Sequence, residues 1–238
     1  MRPSIPVRVD TRPEPVEVEA RRCAVIVVDM QNGFASKGGY LDRAGLDISG
    51  ARATIDNCRK VIDVARNAGS RIIYLQMGWH RDLHDAGAPY QGMWHKSVGL
   101  RFMRERPELA GTAITHGTWD YAIIEDLAPE DGDILVPKTR LSGFFETNLD
   151  SILRGLGITS LVFVGIATNV CVEATLRDAL YRDYKCLLIE DATNAAGPAF
   201  VKDASLYNVE MILGWVTSTA KFCAAFADVS ATAAAAAS

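Results

Sequence analysis

Short apolar runs that alternate with helical patterns constrain the fold of this chain most. Residues 161–166 (LVFVGI) are apolar and rich in β-branched side chains, which is typical of a buried parallel strand. Small and polar residues follow, and from Val170 onward the apolar residues recur at helical spacing. The same strand-then-helix order repeats along the chain. Such alternation predicts a parallel sheet with helices packed on both faces.

The predicted strands are short and lie between helical or irregular segments. They are residues 23–28, 71–76, 133–136, 161–166, 186–190 and a short sixth strand around Val216. A chain of 238 residues that is 49% hydrophobic can bury one large core, and no internal repeat divides it. We therefore expect one α/β domain over residues 21–228. Residues 1–20 are predicted to be a surface arm, and residues 229–238 an alanine-rich tail that frays.

Composition excludes several classes of protein. The net charge of −4 provides no basic surface for nucleic acid, and no apolar run is long enough for a membrane span. The N-terminus lacks the apolar segment of a signal peptide. Five widely spaced cysteines without a C-x-x-C motif argue against a disulfide framework or a zinc cluster. We expect a reduced, cytoplasmic protein that does not bind nucleic acid or membranes.

Three reactive side chains follow predicted strands. Asp29 comes after the first strand, Lys138 after the third and Cys171 after the fourth. Because the carboxyl ends of parallel strands meet at one edge of a sheet, we expect these side chains to lie close together. Cys171 would lie at a helix N-terminus, which favours the thiolate, and Lys138 would lower the thiol pKa further. Asp29 could then accept and return a proton.

Each of these residues also has an ordinary structural explanation. Asp29 could cap a turn, Lys138 could be a solvated surface charge and Cys171 a buried core thiol. The three together at strand ends favour a joint site. The sequence contains no G-x-S-x-G, Walker A, G-x-G-x-x-G or H-E-x-x-H motif. Residues 77–117 lack a clean period and carry all four histidines, which indicates a lid or binding loop.

Three motifs resemble those of the isochorismatase-like cysteine hydrolase family. They are VVDMQNGF at residues 27–34, KTRLSGFFETNLDSIL at residues 138–153 and GIATNVCVEATLRDA at residues 165–179. The likeness extends from about residue 22 to about residue 226. Within the family, the sequence is most similar to the ureidoacrylate amidohydrolases of bacterial pyrimidine degradation.

The resemblance implies a three-layer α/β/α fold with a six-stranded parallel sheet. It also implies a catalytic triad of Asp29, Lys138 and Cys171. A non-proline cis peptide is expected between Ile166 and Ala167. The N–H groups of Ala167 and Cys171 would then form the oxyanion hole.

The same family contains metal-dependent nicotinamidases with an Asp-x-His…His cluster near the loop after the second strand. A similar segment here contains Trp79, His80 and His84, but Gly78 occupies the position of the aspartate. Two histidines four residues apart could bind a metal on a helix, although a surface loop is the stronger interpretation. We expect no metal and no cofactor.

The resemblance implies hydrolysis of the ureido C–N bond of (Z)-3-ureidoacrylate, or of its peroxy acid, to aminoacrylate and carbamate. Arg140 is the first candidate for the substrate carboxylate because it follows Lys138 closely, and Lys96 is the second. The full set of candidate substrate-binding residues is Tyr40, Trp79, His95, Lys96, Arg140, Asn148 and Trp215.

Other functions stay open from the sequence. A related amidase could act on biuret, N-carbamoyl amino acids or nicotinamide. A binding protein, or a redox sensor that uses Cys171, belongs to a different class. A sensor usually has a nearby resolving cysteine, and Cys186 is expected at the opposite edge of the sheet. The expected partners are a small ureido substrate and further copies of the chain in a dimer or tetramer.

Overall fold

The computed structural model describes residues 6–235 and is built around one parallel sheet. The strands are β1 (Pro6–Val9), β2 (Val16–Glu19), β3 (Cys23–Val28), β4 (Arg71–Met77), β5 (Ile134–Lys138), β6 (Ser160–Ile166), β7 (Lys185–Asn194) and β8 (Trp215–Thr217). Six of them form a parallel sheet in the order β5-β4-β3-β6-β7-β8. The predicted α/β fold with a six-stranded parallel sheet is confirmed.

The helices follow the strands in the predicted alternation. They are α1 (Asn32–Ala35), α2 (Tyr40–Arg43), α3 (Ala51–Asn67), α4 (Gly92–Lys96), α5 (Val98–Glu105), α6 (Leu149–Gly155), α7 (Glu173–Leu180), α8 (Ala199–Asn208) and α9 (Thr219–Ala235). Single π turns occupy Thr168–Val172 and Val209–Leu213. No helix within residues 6–235 is long and apolar enough to cross a membrane.

The two central strands, β3 and β6, are buried along their whole length. Alternate residues of a strand point to opposite faces, so each strand contributes to two cores. Val25 and Val27 pack in the cluster that contains α3 and α9, whereas Ala24 and Ile26 pack in the cluster that contains α6 and α7. Burial on both faces explains why these runs read as continuously apolar rather than alternating.

Gly165 allows β3 and β6 to approach closely where they reach the carboxyl edge. Its φ of 115° lies in a region that side chains disfavour. A Cβ at this position would lie 2.1 Å from the carbonyl oxygen of its register partner Val28. Only glycine therefore fits here without displacing the strand that leads to Asp29.

Residues 6–19, predicted to be an arm on the surface, contain two short strands. Strands β1 and β2 form an antiparallel hairpin, and its valines are buried in the same core cluster as α9. The alternation of valine with charged residues is a strand signal, but the prolines and arginines around it obscured it. Residues 1–5 lie outside the described part of the chain.

The other terminal and loop predictions have mixed outcomes. Residues 229–235, predicted to belong to a fraying tail, continue helix α9, and residues 236–238 lie outside the described residues. The irregular segment 77–117 contains α4 and α5 and encloses a third apolar cluster around Trp79, Leu100 and Ile114. These elements do not test the predicted boundaries between arm, domain and tail, which stay a prediction.

Replacing Gly165 with alanine tests the close approach of β3 and β6. We expect Gly165→Ala to lower the free energy of unfolding by about 3 kcal/mol, because the new methyl group clashes with backbone. Gly155→Ala is the matched control, since nothing lies within 4 Å of its added Cβ. The control should change stability by less than about 1 kcal/mol in urea denaturation. Equal effects of the two variants would contradict this account.

Candidate active site

Asp29, Lys138 and Cys171 lie at the carboxyl edge of the main sheet. Asp29 directly follows β3, Lys138 ends β5 and Cys171 lies in the π turn after β6. The Lys138 ammonium donates a 2.8 Å hydrogen bond to Asp29 Oδ2 past the end of β4. Both side chains are almost completely buried, so the ion pair is shielded from water. The geometry brings the predicted residues together, while their catalytic roles stay predictions.

The backbone at Asp29 directs its carboxyl group into the site. Its φ is 51°, which is uncommon for a residue other than glycine. Two hydrogen bonds hold this conformation: the Asp29 N–H donates to the Leu75 carbonyl at 3.0 Å, and the Gln31 N–H donates to the Asp29 carbonyl at 2.8 Å. Asp29 Oδ1 is buried and has no hydrogen-bond partner within residues 6–235. This oxygen is available to accept a proton.

Cys171 lies in the π turn between β6 and α7, close enough to Asp29 and Lys138 for both of them to influence its pKa. Single π turns occur frequently at functional sites. The peptide bond between Ile166 and Ala167 is cis, as predicted. Ala167 and Cys171 both line the cavity described below. Their positions are compatible with the predicted oxyanion hole, which itself stays a prediction.

No side chain caps the helical turn that carries Cys171. The helical turn begins at Thr168, and Ala167 precedes it without a side-chain cap. Asn169 instead exchanges two 3.0 Å hydrogen bonds with the backbone of Ala196, which ties the turn of Cys171 to the segment before α8. The Thr168 hydroxyl is buried and has no hydrogen-bond partner within the described range.

Burial dominates the protonation of the site. It raises the pKa of the Cys171 thiol to about 12, although Lys138 acts in the opposite direction. Burial also raises the pKa of Asp29, again against the influence of Lys138. Burial lowers the pKa of Lys138, but the charges of Asp29 and Cys171 outweigh it and the net shift is upward. Lys138 therefore acts in the predicted direction, but burial outweighs it and the pKa of the Cys171 thiol lies above its ordinary value.

A cavity of about 220 Å³ opens over Asp29 and Cys171. Most of its walls are apolar, formed by Phe34, Leu41, Leu46, Met77, Met93, Val98, Ile114, Leu141, Ile166 and Val170. The predicted substrate-binding residues Tyr40, Trp79 and Lys96 also line it. Lys96 ends α4 and is the one lysine or arginine among the lining residues that the structure describes. Its ammonium has no hydrogen bond or ion pair to any residue from 6 to 235.

Arg140, the first candidate for the substrate carboxylate, does not line this cavity. Its guanidinium donates 3.0 Å hydrogen bonds to the carbonyls of Asp85 and Thr139. These bonds hold the loop after β4 against the loop after β5. Sequence proximity to Lys138 placed the residue near the site but could not show which way its side chain turns.

The other three candidates also lie outside the cavity lining. His95 is exposed, with Nε2 2.7 Å from the Pro89 carbonyl. Asn148 is exposed at the start of α6. Trp215 lies on the edge strand β8, and its indole N–H donates to Glu14 at 3.0 Å. Nothing in these contacts supports a role in substrate binding.

Gln31 is a site residue that the sequence analysis missed. Its amide donates to the carbonyls of Met77 and Tyr121 at 2.9 and 2.8 Å, and accepts from the Met77 N–H at 2.8 Å. The side chain is fully buried and joins the ends of β3 and β4 next to Asp29. Its place two residues after Asp29, within the family-like VVDMQNGF motif, was the available signal.

A histidine cluster lies beside the site, in a different combination from the predicted pair. Ligand atoms of His80, Asp85 and His116 all lie within 4.8 Å of one another, and His116 Nε2 is buried without a partner in the described range. Two imidazoles and a carboxylate can hold a divalent transition metal. His84 stacks on His80, with its Nδ1 2.6 Å from Asp82. The expected absence of a metal stays a prediction.

The structure has no room at Gly78 for the side chain of the metal-binding aspartate that the resemblance places there. A Cβ at this position would lie 2.5 Å from the ring of Tyr121 and 2.7 Å from the Ile114 carbonyl oxygen. An aspartate therefore does not fit unless the chain around Tyr121 moves.

Comparison with known proteins defines the class of this chain. The isochorismatase domain family matches residues 23–221. Among solved structures, a cysteine hydrolase from Pseudomonas syringae pv. phaseolicola superposes with a TM-score of 0.76 and 29% identity, covering 96% of this chain and all of that one. An N-carbamoylsarcosine amidase from Thermoplasma acidophilum has a TM-score of 0.62 and 29% identity, with 83% and 96% coverage. This protein belongs to the isochorismatase family.

Two similar relatives have names that specify a substrate. The chain is 56% identical over 212 residues to the ureidoacrylate amidohydrolase RutB of Agrobacterium fabrum, covering 89% of this chain and 93% of the relative. It is 53% identical over 226 residues to the ureidoacrylate amidohydrolase RutB of Rhizobium rhizogenes, with 95% and 92% coverage.

The raised pKa of Cys171 makes its alkylation strongly dependent on pH. We expect the rate of modification by iodoacetamide to rise about tenfold per unit between about pH 7 and pH 9, because only the thiolate reacts. Peptide mass spectrometry would follow Cys171, with Cys171→Ala identifying signals from the other cysteines. A rate that is already constant from pH 7 upward would show that the thiolate is preformed.

Proposed function

We propose that this chain is a cysteine amidohydrolase that cleaves the ureido C–N bond of (Z)-3-ureidoacrylate, or of its peroxy acid, in pyrimidine degradation. The observation that carries the proposal is a small cavity lined by Cys171, by the cation Lys96 and by Asp29, whose carboxylate forms a buried ion pair with Lys138. The two relatives named ureidoacrylate amidohydrolase, at 53% and 56% identity, support the choice of substrate.

The first half of the reaction forms an acyl-enzyme. Asp29 accepts the Cys171 proton through its free Oδ1, and the sulfur attacks the ureido carbonyl carbon. The N–H groups of Ala167 and Cys171 stabilise the oxyanion that forms. Asp29 then protonates the nitrogen as the C–N bond breaks. Aminoacrylate leaves, and the carbamoyl group remains bonded to sulfur.

The second half restores the thiol. Asp29, again a carboxylate, takes a proton from water as the water oxygen attacks the carbamoyl carbon. The C–S bond breaks, the proton returns to sulfur and carbamate is released. Carbamate then decomposes to carbon dioxide and ammonia. Lys138 keeps its charge throughout, and its attraction favours the ionised forms of Asp29 and of the attacking sulfur. No cofactor takes part in this proposal.

Lys96 is our proposed receptor for the carboxylate of the substrate. It is the lining cation, and no other group within residues 6–235 neutralises it. Met93 and Ser97 line the cavity as well, so the segment around Lys96 forms one of its walls. An apolar wall with one cation fits a short unsaturated acid better than a neutral, fully polar molecule.

The alternative functions, a related amidase and a redox sensor, are supported to different degrees. A related amidase that acts on biuret, N-carbamoyl amino acids or nicotinamide would use the same three residues, so substrate tests must decide. A redox sensor is disfavoured, because sensor thiols are exposed and readily ionised whereas Cys171 is buried and protonated. Cys186 pairs in register with Leu161, five residues before the end of β6, which places it at the opposite edge.

We also propose that the protein assembles from copies of itself in the cytoplasm. Phe200, Tyr207 and Met211 are all more than half exposed and are spaced to share one face of α8 and the following π turn. The five cysteines are unpaired, and a reducing compartment would keep Cys171 available as a nucleophile.

The decisive experiment is a turnover panel with ureidoacrylate, biuret, N-carbamoyl amino acids and nicotinamide. We expect ureidoacrylate to have the highest kcat/KM, with activity that survives exhaustive chelation. Cys171→Ser should abolish turnover, because a hydroxyl is a far poorer nucleophile than a thiol. Full activity in Cys171→Ala would end the mechanism, and loss on chelation with recovery in zinc would assign a role to the histidine cluster.

Replacing Lys96 tests the proposed carboxylate contact. We expect Lys96→Gln to raise KM for ureidoacrylate about tenfold, equivalent to about 1.4 kcal/mol, and to leave KM for biuret unchanged. Lys37→Gln is the matched control, since Lys37 is exposed and does not line the cavity. Equal small effects of Lys96→Gln on both substrates would remove Lys96 from the site.

A further inference from the structure

We propose that Thr175 is a positioning residue that fixes the nucleophile turn relative to the loop after Lys138. The inference rests on the assignment of Cys171 as the nucleophile. Thr175 lies on α7, one helical turn after Cys171, and its side chain is completely buried. It does not line the cavity and so acts on the reaction only through its neighbours.

The Thr175 hydroxyl joins two segments that are distant in sequence. It donates a 2.6 Å hydrogen bond to the backbone carbonyl of Cys171. It also accepts a 3.0 Å hydrogen bond from the backbone N–H of Gly143. A hydroxyl has one proton to donate, so the first bond leaves its lone pairs free for the second. One oxygen atom therefore links the nucleophile's own peptide unit to the loop that follows β5.

That loop carries groups which the site needs. The carbonyl of Arg140 accepts a 3.1 Å hydrogen bond from the Lys138 ammonium. Leu141 lines the cavity. Because Gly143 is only a few residues further along, a fixed position for its N–H limits where both groups lie. Thr175 thereby couples the sulfur of Cys171 to the ammonium of Lys138.

Close packing at Gly143 restricts movement of the loop where it contacts Thr175. A Cβ at Gly143 would lie 2.4 Å from the Leu75 side chain and 3.2 Å from the Thr175 methyl group. A second bond, from the Ser142 hydroxyl to Asp178 on α7, holds the same loop at 2.5 Å. The bond from Ser142 to Asp178 only anchors the loop, whereas Thr175 also bonds to the backbone of Cys171. Loss of the Thr175 hydroxyl should therefore disturb the site more than loss of the Ser142 bond.

The test compares Thr175→Val, which keeps the shape but removes the hydroxyl, with Thr175→Ser, which keeps the hydroxyl. We expect Thr175→Val to lower kcat for ureidoacrylate by about tenfold or more with little change in KM, because small displacements of reacting groups are costly. Iodoacetamide should modify Cys171 more slowly in this variant at every pH. Thr175→Ser should restore most of both rates.

Thr54→Val is the matched control for the loss of a buried hydroxyl. Thr54 is also buried and donates to the carbonyl four residues earlier, at 3.1 Å, but it lies on α3, does not line the cavity and has no bond to the turn of Cys171. It should leave kcat and Cys171 alkylation unchanged, whatever it does to the melting temperature. If Thr175→Val behaves like Thr54→Val in both assays, the positioning role is overturned.

Two further measurements keep the outcome clear. If Thr175→Val does not fold, Thr175→Ala against Thr175→Ser provides the same contrast without an added methyl group. Alkylation does not depend on the substrate, so it reports on Thr175 even if ureidoacrylate is the wrong substrate. Unchanged alkylation in Thr175→Ala would overturn the proposal, whereas wild-type protein that turns over none of the panel would overturn the proposed function alone.

Discussion

The buried ion pair between Asp29 and Lys138 is the interaction on which the rest of this structure depends. Two charges withdrawn from water are stable only when each lies very close to the other, and removing one partner typically costs about 3–5 kcal/mol. Here the partners come from β3 and β5, which are separated by β4. The sheet order, the unusual backbone at Asp29 and the loop after Lys138 are all needed to bring them within 2.8 Å.

The ion pair also determines which charges act on Cys171. Asp29 uses one carboxylate oxygen for Lys138 and keeps the other free beneath the cavity. Burial raises the pKa of the Cys171 thiol and the neighbouring ammonium opposes that shift, so the two effects act on the same sulfur in opposite directions.

Features governed by local pattern were predictable from the sequence. The runs that became β3 and β6 are apolar because both of their faces are covered, and Asp29 and Cys171 follow them at the functional edge. The side-chain direction of Arg140, the cavity walls and the meeting of His80 with His116 depend on how distant segments pack. Sequence spacing contains no information about that packing. The hairpin valines were within reach of pattern analysis, but their strands are only four residues long.

The two edges of the main sheet have a consequence for how copies of this chain can associate. Edge strand β8 is only three residues long, and Arg12 in the hairpin connection exchanges backbone hydrogen bonds of 2.8 and 3.0 Å with Val216. The opposite edge strand, β5, contains Pro137, which has no N–H to offer. Neither edge therefore presents a continuous row of free backbone donors to another chain. As a result, the main sheet is a poor template for edge-to-edge aggregation.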